Sequence, residues 1–103
     1  MSAGYRLTPR AVQDLEDIAD YTFKVWGAEQ MEIYLRRLVA RFEWLAEKPE
    51  IGRPRDDVDT GYRCYPEGRH LIFYLVDAES GELAIIGVPH SAMDIEGYFD
   101  QTP

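Results

Sequence analysis

Residues 31–49, MEIYLRRLVARFEWLAEKP, decide the fold. Met31, Leu35, Leu38, Phe42 and Leu45 follow steps of 4, 3, 4 and 3 residues, with Tyr34 and Ala46 widening the stripe. That spacing gathers apolar side chains on one face of an α-helix. Pro49 stops the helix, with Lys48 near its negative end. Upstream, Thr8-Pro9 supplies a hydroxyl at the N-cap and a proline at the first helical position of another helix. Ala11, Leu15, Ile18, Ala19, Thr22, Val25 and Trp26 form its apolar stripe, and Gly27 ends it. Asp14, Glu16 and Asp17 fall in its first two turns, the earliest toward the positive end of the helix dipole. Two amphipathic helices joined at one glycine make a helical hairpin, and each stripe needs a surface to bury it.

The rest of the chain supplies that surface. Tyr5-Arg6-Leu7 reads as a short first or edge strand. Residues 49–61 read as a loop, punctuated by Pro49, Gly52, Pro54 and Gly61. Three strand-like runs follow. Tyr62 to Tyr65 is the first, with Pro66-Glu67-Gly68 as its turn. Arg69 to Val76 is the second; its centre lacks alternation, so it is expected to be a central strand covered on both faces. Leu83 to Val88 is the third, after a turn around Gly81, and Pro89 ends it. Ile95, Tyr98 and Phe99 form a short apolar tail with the reach of one helical turn. The order β-α-α-β-β-β describes one α+β domain over residues 1–103, a hairpin packed on a mostly antiparallel sheet.

Composition narrows the function. The 103 residues carry 19 acidic and 11 basic side chains, for a formal net charge of −8. Residues 77–103 hold six of the acids and no Lys or Arg. Affinity for nucleic acid depends on Lys and Arg neutralising phosphates, so whole-surface binding to DNA or RNA is not expected. Cys64 is the only cysteine, which rules out an intramolecular disulfide and suits a reducing cytoplasm. The first residues show no apolar run behind a basic start, and no stretch reaches the length of a membrane span, so neither a secretion signal nor a membrane partner is expected.

Several motifs in register resemble the ParE toxins of type II toxin–antitoxin systems, within the wider RelE/ParE superfamily. They are Leu15-Glu16-Asp17-Ile18-Ala19-Asp20-Tyr21, Phe42 to Pro49 running into Ile51-Gly52-Arg53, Gly61-Tyr62-Arg63, Gly68-Arg69-His70-Leu71-Ile72-Phe73-Tyr74, and His90-Ser91-Ala92-Met93-Asp94. The resemblance implies a RelE/ParE-like fold and a small cytoplasmic toxin wrapped by a ParD-like antitoxin in a heterotetramer or larger assembly. It implies DNA gyrase as the target. The sequence shows no credible nucleophile, metal set or phosphate cradle, so a binding inhibitor rather than an enzyme is expected, with no cofactor. The chain departs from the family where a basic residue is common in the last strand: here Gly87 and Pro89 precede His90, so that strand is expected to end early or bulge.

The candidate antitoxin- or target-contacting residues are Trp26, Tyr34, Arg37, Arg41, Arg63, Arg69, His90 and Asp94. Arg63 lies between Tyr62 and Cys64 and points to the opposite face, where it either meets a carboxylate under the hairpin or lines an open groove. Arg37 and Arg41, one helical turn apart beside Arg36, read as a solvated face paired with Glu32 and nearby acids or as a docking patch for an acidic segment. Tyr21, Trp26, Tyr34 and Trp44 read mainly as core or core edge, although any left exposed would anchor a partner. His90 followed by Asp94 suggests either a loop histidine held by Asp94 or nearby backbone, which is favoured, or a general acid–base of a RelE-type ribosome-dependent endoribonuclease using Arg63 and Arg69, with Arg55 a further cation. His70 is expected to pack at the end of the sheet or to bond a neighbouring backbone group. Cys64, His70, His90 and Asp94 can be written as a zinc set, but their spacing matches no common ligand pattern, and no metal is expected. A third reading is a former toxin that binds only its antitoxin.

Overall fold

The first helix begins as its sequence demands. Thr8 is extended, and its Oγ1 accepts the Ala11 N–H at 3.2 Å, with Pro9 in the first turn. The same hydroxyl shares its proton between the carbonyls of Ile85 and Ile86, 3.0 and 2.9 Å away, and so ties the helix start to the last strand. The computed structural model describes residues 4–100. Strand β1 (Tyr5–Leu7) leads into α1 (Pro9–Trp26) and α2 (Ala28–Glu47). A 3-10 turn at Pro49–Ile51 and the short β2 (Arg53–Pro54) precede β3 (Arg63–Glu67), β4 (His70–Val76) and β5 (Leu83–Gly87), and α3 (Ile95–Asp100) follows.

The five strands form one mixed sheet in the order β1-β5-β4-β3-β2. Only β1 and β5 run parallel, so the sheet is mostly antiparallel as expected. Ala11 and Ile18 of α1 and Leu38, Phe42, Leu45 and Ala46 of α2 pack on Ile72 and Tyr74 of β4 and Leu83 and Ile85 of β5. Each of the larger side chains contributes roughly 1.5–3 kcal/mol by leaving water. The opposite face of β4 is also covered: Phe73 meets Phe99 of α3 edge-on at 5.0 Å and lies under the Arg55 guanidinium at 5.5 Å. A central strand closed on both faces needs no alternation, which explains its uninterrupted apolar run.

Four expectations are corrected. Val25 and Trp26 belong to no buried stripe: they are 50% and 60% exposed. From Phe23 to Leu35 no residue is buried, because the tip of the hairpin outruns the sheet that would cover it. Tyr21, expected in the core or at its edge, is likewise exposed. Pro66 and Glu67 lie inside β3, opposite Leu71 and His70, and the turn is Gly68-Arg69. Proline fits there because β2 pairs only with Arg63 and Cys64 and leaves the outer edge at Pro66 without a strand neighbour. The loop at 49–61 contains β2, whose two residues are too few to show a period. The last strand does both things its glycine suggested. Phe73 pairs with Gly87 and Tyr74 with Ile85, which leaves Ile86 as a bulge, and β5 stops at Gly87.

Candidate functional site

The hairpin stands away from one end of the sheet and leaves a groove of about 720 Å³. Asp14, Asp17, Ile18, Tyr21, Thr22 and Trp26 of α1 form one wall, and Gln30, Tyr34 and Arg37 of α2 another. Gly68, Arg69 and His70 of the β3–β4 turn, with Val88, Pro89, His90 and Met93 after β5, complete it. The α1 wall is an open aromatic surface, since Tyr21 is 64% exposed. Of the sequence candidates, the groove therefore gathers Trp26, Tyr34, Arg37, Arg69 and His90.

Tyr34 organises the closed end. Its Oη accepts the Arg69 N–H at 3.1 Å and lies 2.6 Å from His70 Nδ1 and 3.2 Å from the Glu67 carbonyl. The hydroxyl has one proton for two acceptors, the Glu67 carbonyl and His70 Nδ1, and the tautomer of His70 sets whether Nδ1 accepts that proton or donates its own to the phenol oxygen. Gly68 permits this fit. It sits at φ 58°, and a Cβ there would come within 2.6 Å of the Tyr34 ring. Burial, and then the neighbouring His90, lower the His70 pKa from 6.5 to about 4, so the ring is neutral at pH 7. His70 thus packs at the end of the sheet, against the Tyr34 and His90 rings, as the first of its two expected placements had it, and its ring bonds a side chain and not backbone.

His90 pairs with His70 as an isolated bridge, and the two rings stand edge to face at 5.3 Å. Its Nδ1 accepts the Ala92 N–H at 3.0 Å, so nearby backbone and not Asp94 holds it. Asp94 is absent from the groove lining, and its carbonyl accepts the Tyr98 N–H at the start of α3.

Glu67 is a buried carboxylate that sequence reading assigned to a turn. It receives Arg37 at 3.1 Å and Arg41 at 2.8 Å. Arg41 also lies over the rings of Trp44 and Tyr65, at 4.6 and 5.1 Å. Arg36, paired with Glu32 one turn away, and Arg37, 57% exposed although it reaches Glu67, both behave as solvated face residues, and Arg41 is the one drawn inward. Strand alternation carried the missed signal, because Glu67 shares the face of Arg63 and Tyr65 that looks toward the hairpin.

Arg63 meets neither of its two expected environments. Its Nη1 donates to the carbonyls of Gly52 and Glu50, at 2.7 and 3.2 Å, and holds the turn after α2. Asp14 was also missed as a site residue. It leaves the helix dipole to accept the Val88 N–H at 2.8 Å and the Tyr98 phenol. Burial and then this carboxylate push the phenol pKa strongly upward. Its place beside Ala11 and Ile18 on the inward face was the available clue. Among the described residues, no three His, Cys, Asp or Glu side chains gather to hold a metal ion. Cys64 is buried away from the groove, and burial raises its thiol pKa.

Residues 5–95 match the family defined as the ParE toxin of the type II toxin–antitoxin system, parDE. Toxin ParE1 of Mycobacterium tuberculosis is 41% identical over 96 residues, covering 93% of this chain and 97% of that protein. Toxin ParE1 of Caulobacter vibrioides is 39% identical over 94 residues, covering 91% and 95%. Among solved structures, the chromosomal ParDE toxin–antitoxin system of P. aeruginosa superposes with a TM-score of 0.72 at 19% identity, over 86% of this chain and 96% of that one. The toxin–antitoxin complex RelBE2 of Mycobacterium tuberculosis gives 0.60 at 20% identity, over 87% and 99%. These two show the shared fold.

Proposed function

The chain belongs to the ParE toxin family of type II toxin–antitoxin systems, and from that premise we propose that it acts by binding and not by catalysis. A ParD-like antitoxin covers the groove between hairpin and sheet and neutralises the toxin in a hetero-oligomer, a heterotetramer or larger. DNA gyrase is the target of the free chain, in the cytoplasm. The observation that carries this reading is the open aromatic groove, whose exposed Tyr21 and Trp26 supply the large, rigid anchors that protein interfaces use. No helix of the described residues is long and apolar enough to cross a membrane.

The nuclease alternative asks Arg63, Arg69 and His90 to converge on one phosphate. Arg63 instead serves the carbonyls of Glu50 and Gly52 and is no part of the groove, which favours binding. Purified gyrase and antitoxin-free protein test the two readings in a supercoiling assay, with primer extension on translated mRNA run beside it. Inhibited supercoiling with intact mRNA supports the binding toxin. Cleaved mRNA that disappears in His90→Ala replaces it with a nuclease. Silence in both assays, with antitoxin binding retained, points to a different target if expression without antitoxin still arrests growth and to a chain that has lost its toxicity if it does not.

A further inference from the structure

We infer that the groove selects a partner segment carrying a single acidic side chain among apolar ones, with that carboxylate seated on Arg69. The inference rests on the reading of the groove as the antitoxin-binding surface and adds the chemistry of what enters it. Arg69 is exposed at the groove's lip, and its backbone is held on both sides. Its N–H donates to Tyr34 Oη at 3.1 Å, and its carbonyl accepts the Ser91 N–H at 2.8 Å. Yet its guanidinium takes no hydrogen bond or ion pair among the described residues. A fork of N–H donors on a fixed backbone, beside an apolar floor, is suited to a carboxylate.

The surroundings limit how many acids the segment can carry. Arg37 already serves Glu67, so its charge is partly matched. Asp14 and Asp17 line the α1 side of the same groove, Asp14 with its carboxylate already engaged by the Val88 N–H and the Tyr98 phenol. The chain as a whole carries −8, so a run of acids is repelled while one acid placed on Arg69 is attracted. Ile18, Tyr21 and Trp26 then take the flanking apolar side chains. A phosphodiester strand would bring one negative charge per nucleotide past Asp17, which disfavours nucleic acid in this position.

Phage-displayed random peptides of about 16 residues, long enough for four helical turns, probe the groove without assuming a partner. Selected on the intact protein, they should carry one Asp or Glu flanked by apolar residues. As synthetic peptides they should bind about tenfold more weakly to Arg69→Glu. Replacing the peptide's acid by its amide should cost a similar factor in the original protein and little in Arg69→Gln. Trp26→Ala should weaken every selected peptide. Both side chains are exposed, so circular dichroism of the variants should match the parent. Peptides weakened by Trp26→Ala but lacking an acid, or indifferent to Arg69→Glu, overturn the charge selection and leave the groove reading standing. Peptides indifferent to both substitutions, or no enrichment, overturn the groove reading and this inference with it. Displacement of the peptides by single-stranded oligonucleotide overturns the inference in favour of a nucleic-acid site.

Discussion

At the scale of single residues, a buried carboxylate and a half-buried imidazole hold the closed end of the groove, and each makes a measurable claim. Glu67 holds Arg37 and Arg41 from a buried position on β3. Glu67→Ala strands Arg41 and should lower stability by about 2 kcal/mol in chemical denaturation, the scale of breaking a partly buried ion pair. Unchanged stability would mean that the arginines find water instead. His70 makes a claim about pH. Its folded pKa of about 4 lies below the ordinary 6.5, so the unfolded chain takes up a proton that the folded chain refuses. Its contribution is complete above about pH 6.5 and is lost as pH falls toward about 4. The advantage of the parent over His70→Gln should therefore shrink by about 1–2 kcal/mol between pH 7 and pH 4, after discounting for the part of the ring that water reaches. Denaturation midpoints for both proteins across that range check it, and parallel curves would remove His70 from the account. Neither role stands out in the sequence, although strand alternation could have placed Glu67 toward the hairpin. Glu67 sat in what looked like a Pro-Glu-Gly turn, and the Tyr34 hydroxyl that meets His70 lies 36 positions away, on another element.

At the scale of elements, local chemistry announces itself where it repeats and stays silent where it does not. The 3- and 4-residue steps of α2 and the capped start of α1 needed no tertiary information. Periodicity does not say where a supporting surface ends, so Val25 and Trp26 looked buried although the sheet never reaches them. Strand β2, at two residues, has no period to read. The short α3 depends on one close approach. A Cβ at Gly87 would fall 2.0 Å from Tyr98 Oη, where that phenol meets Asp14. The glycine in place of a bulkier or basic residue is thus explained by the docking of α3. Gly87→Ala should push Tyr98 off Asp14 and cost about 1–3 kcal/mol. Faster amide exchange within residues 95–100 than in α1 would localise the damage, whereas an intact α3 would show that the helix shifts to absorb the methyl.

At the scale of the molecule, the acidic charge and the aromatic groove with Arg69 at its lip point the same way. Excess acid covers the chain's surface and discourages nucleic acid, while Arg37 and Arg69 stand where a protein segment would dock between aromatic walls. The family resemblance was legible from motifs spread along the chain, but the groove was not. Its walls come from α1, α2, the β3–β4 turn and the segment after β5, and only folding brings Trp26 and His90 to one cavity. Of the eight candidates, Arg41 became a support behind the groove, Arg63 a clamp on the turn after α2, and Asp94 the start of α3. Hydrogen exchange of the chain alone and in complex with a ParD-type antitoxin tests the central claim most directly. Protection concentrated at residues 18–26, 30–37, 68–70 and 88–93 is the predicted result. Protection confined to the opposite face of the sheet, around residues 53–55, 62 and 99, with the groove still exchanging freely, would contradict it.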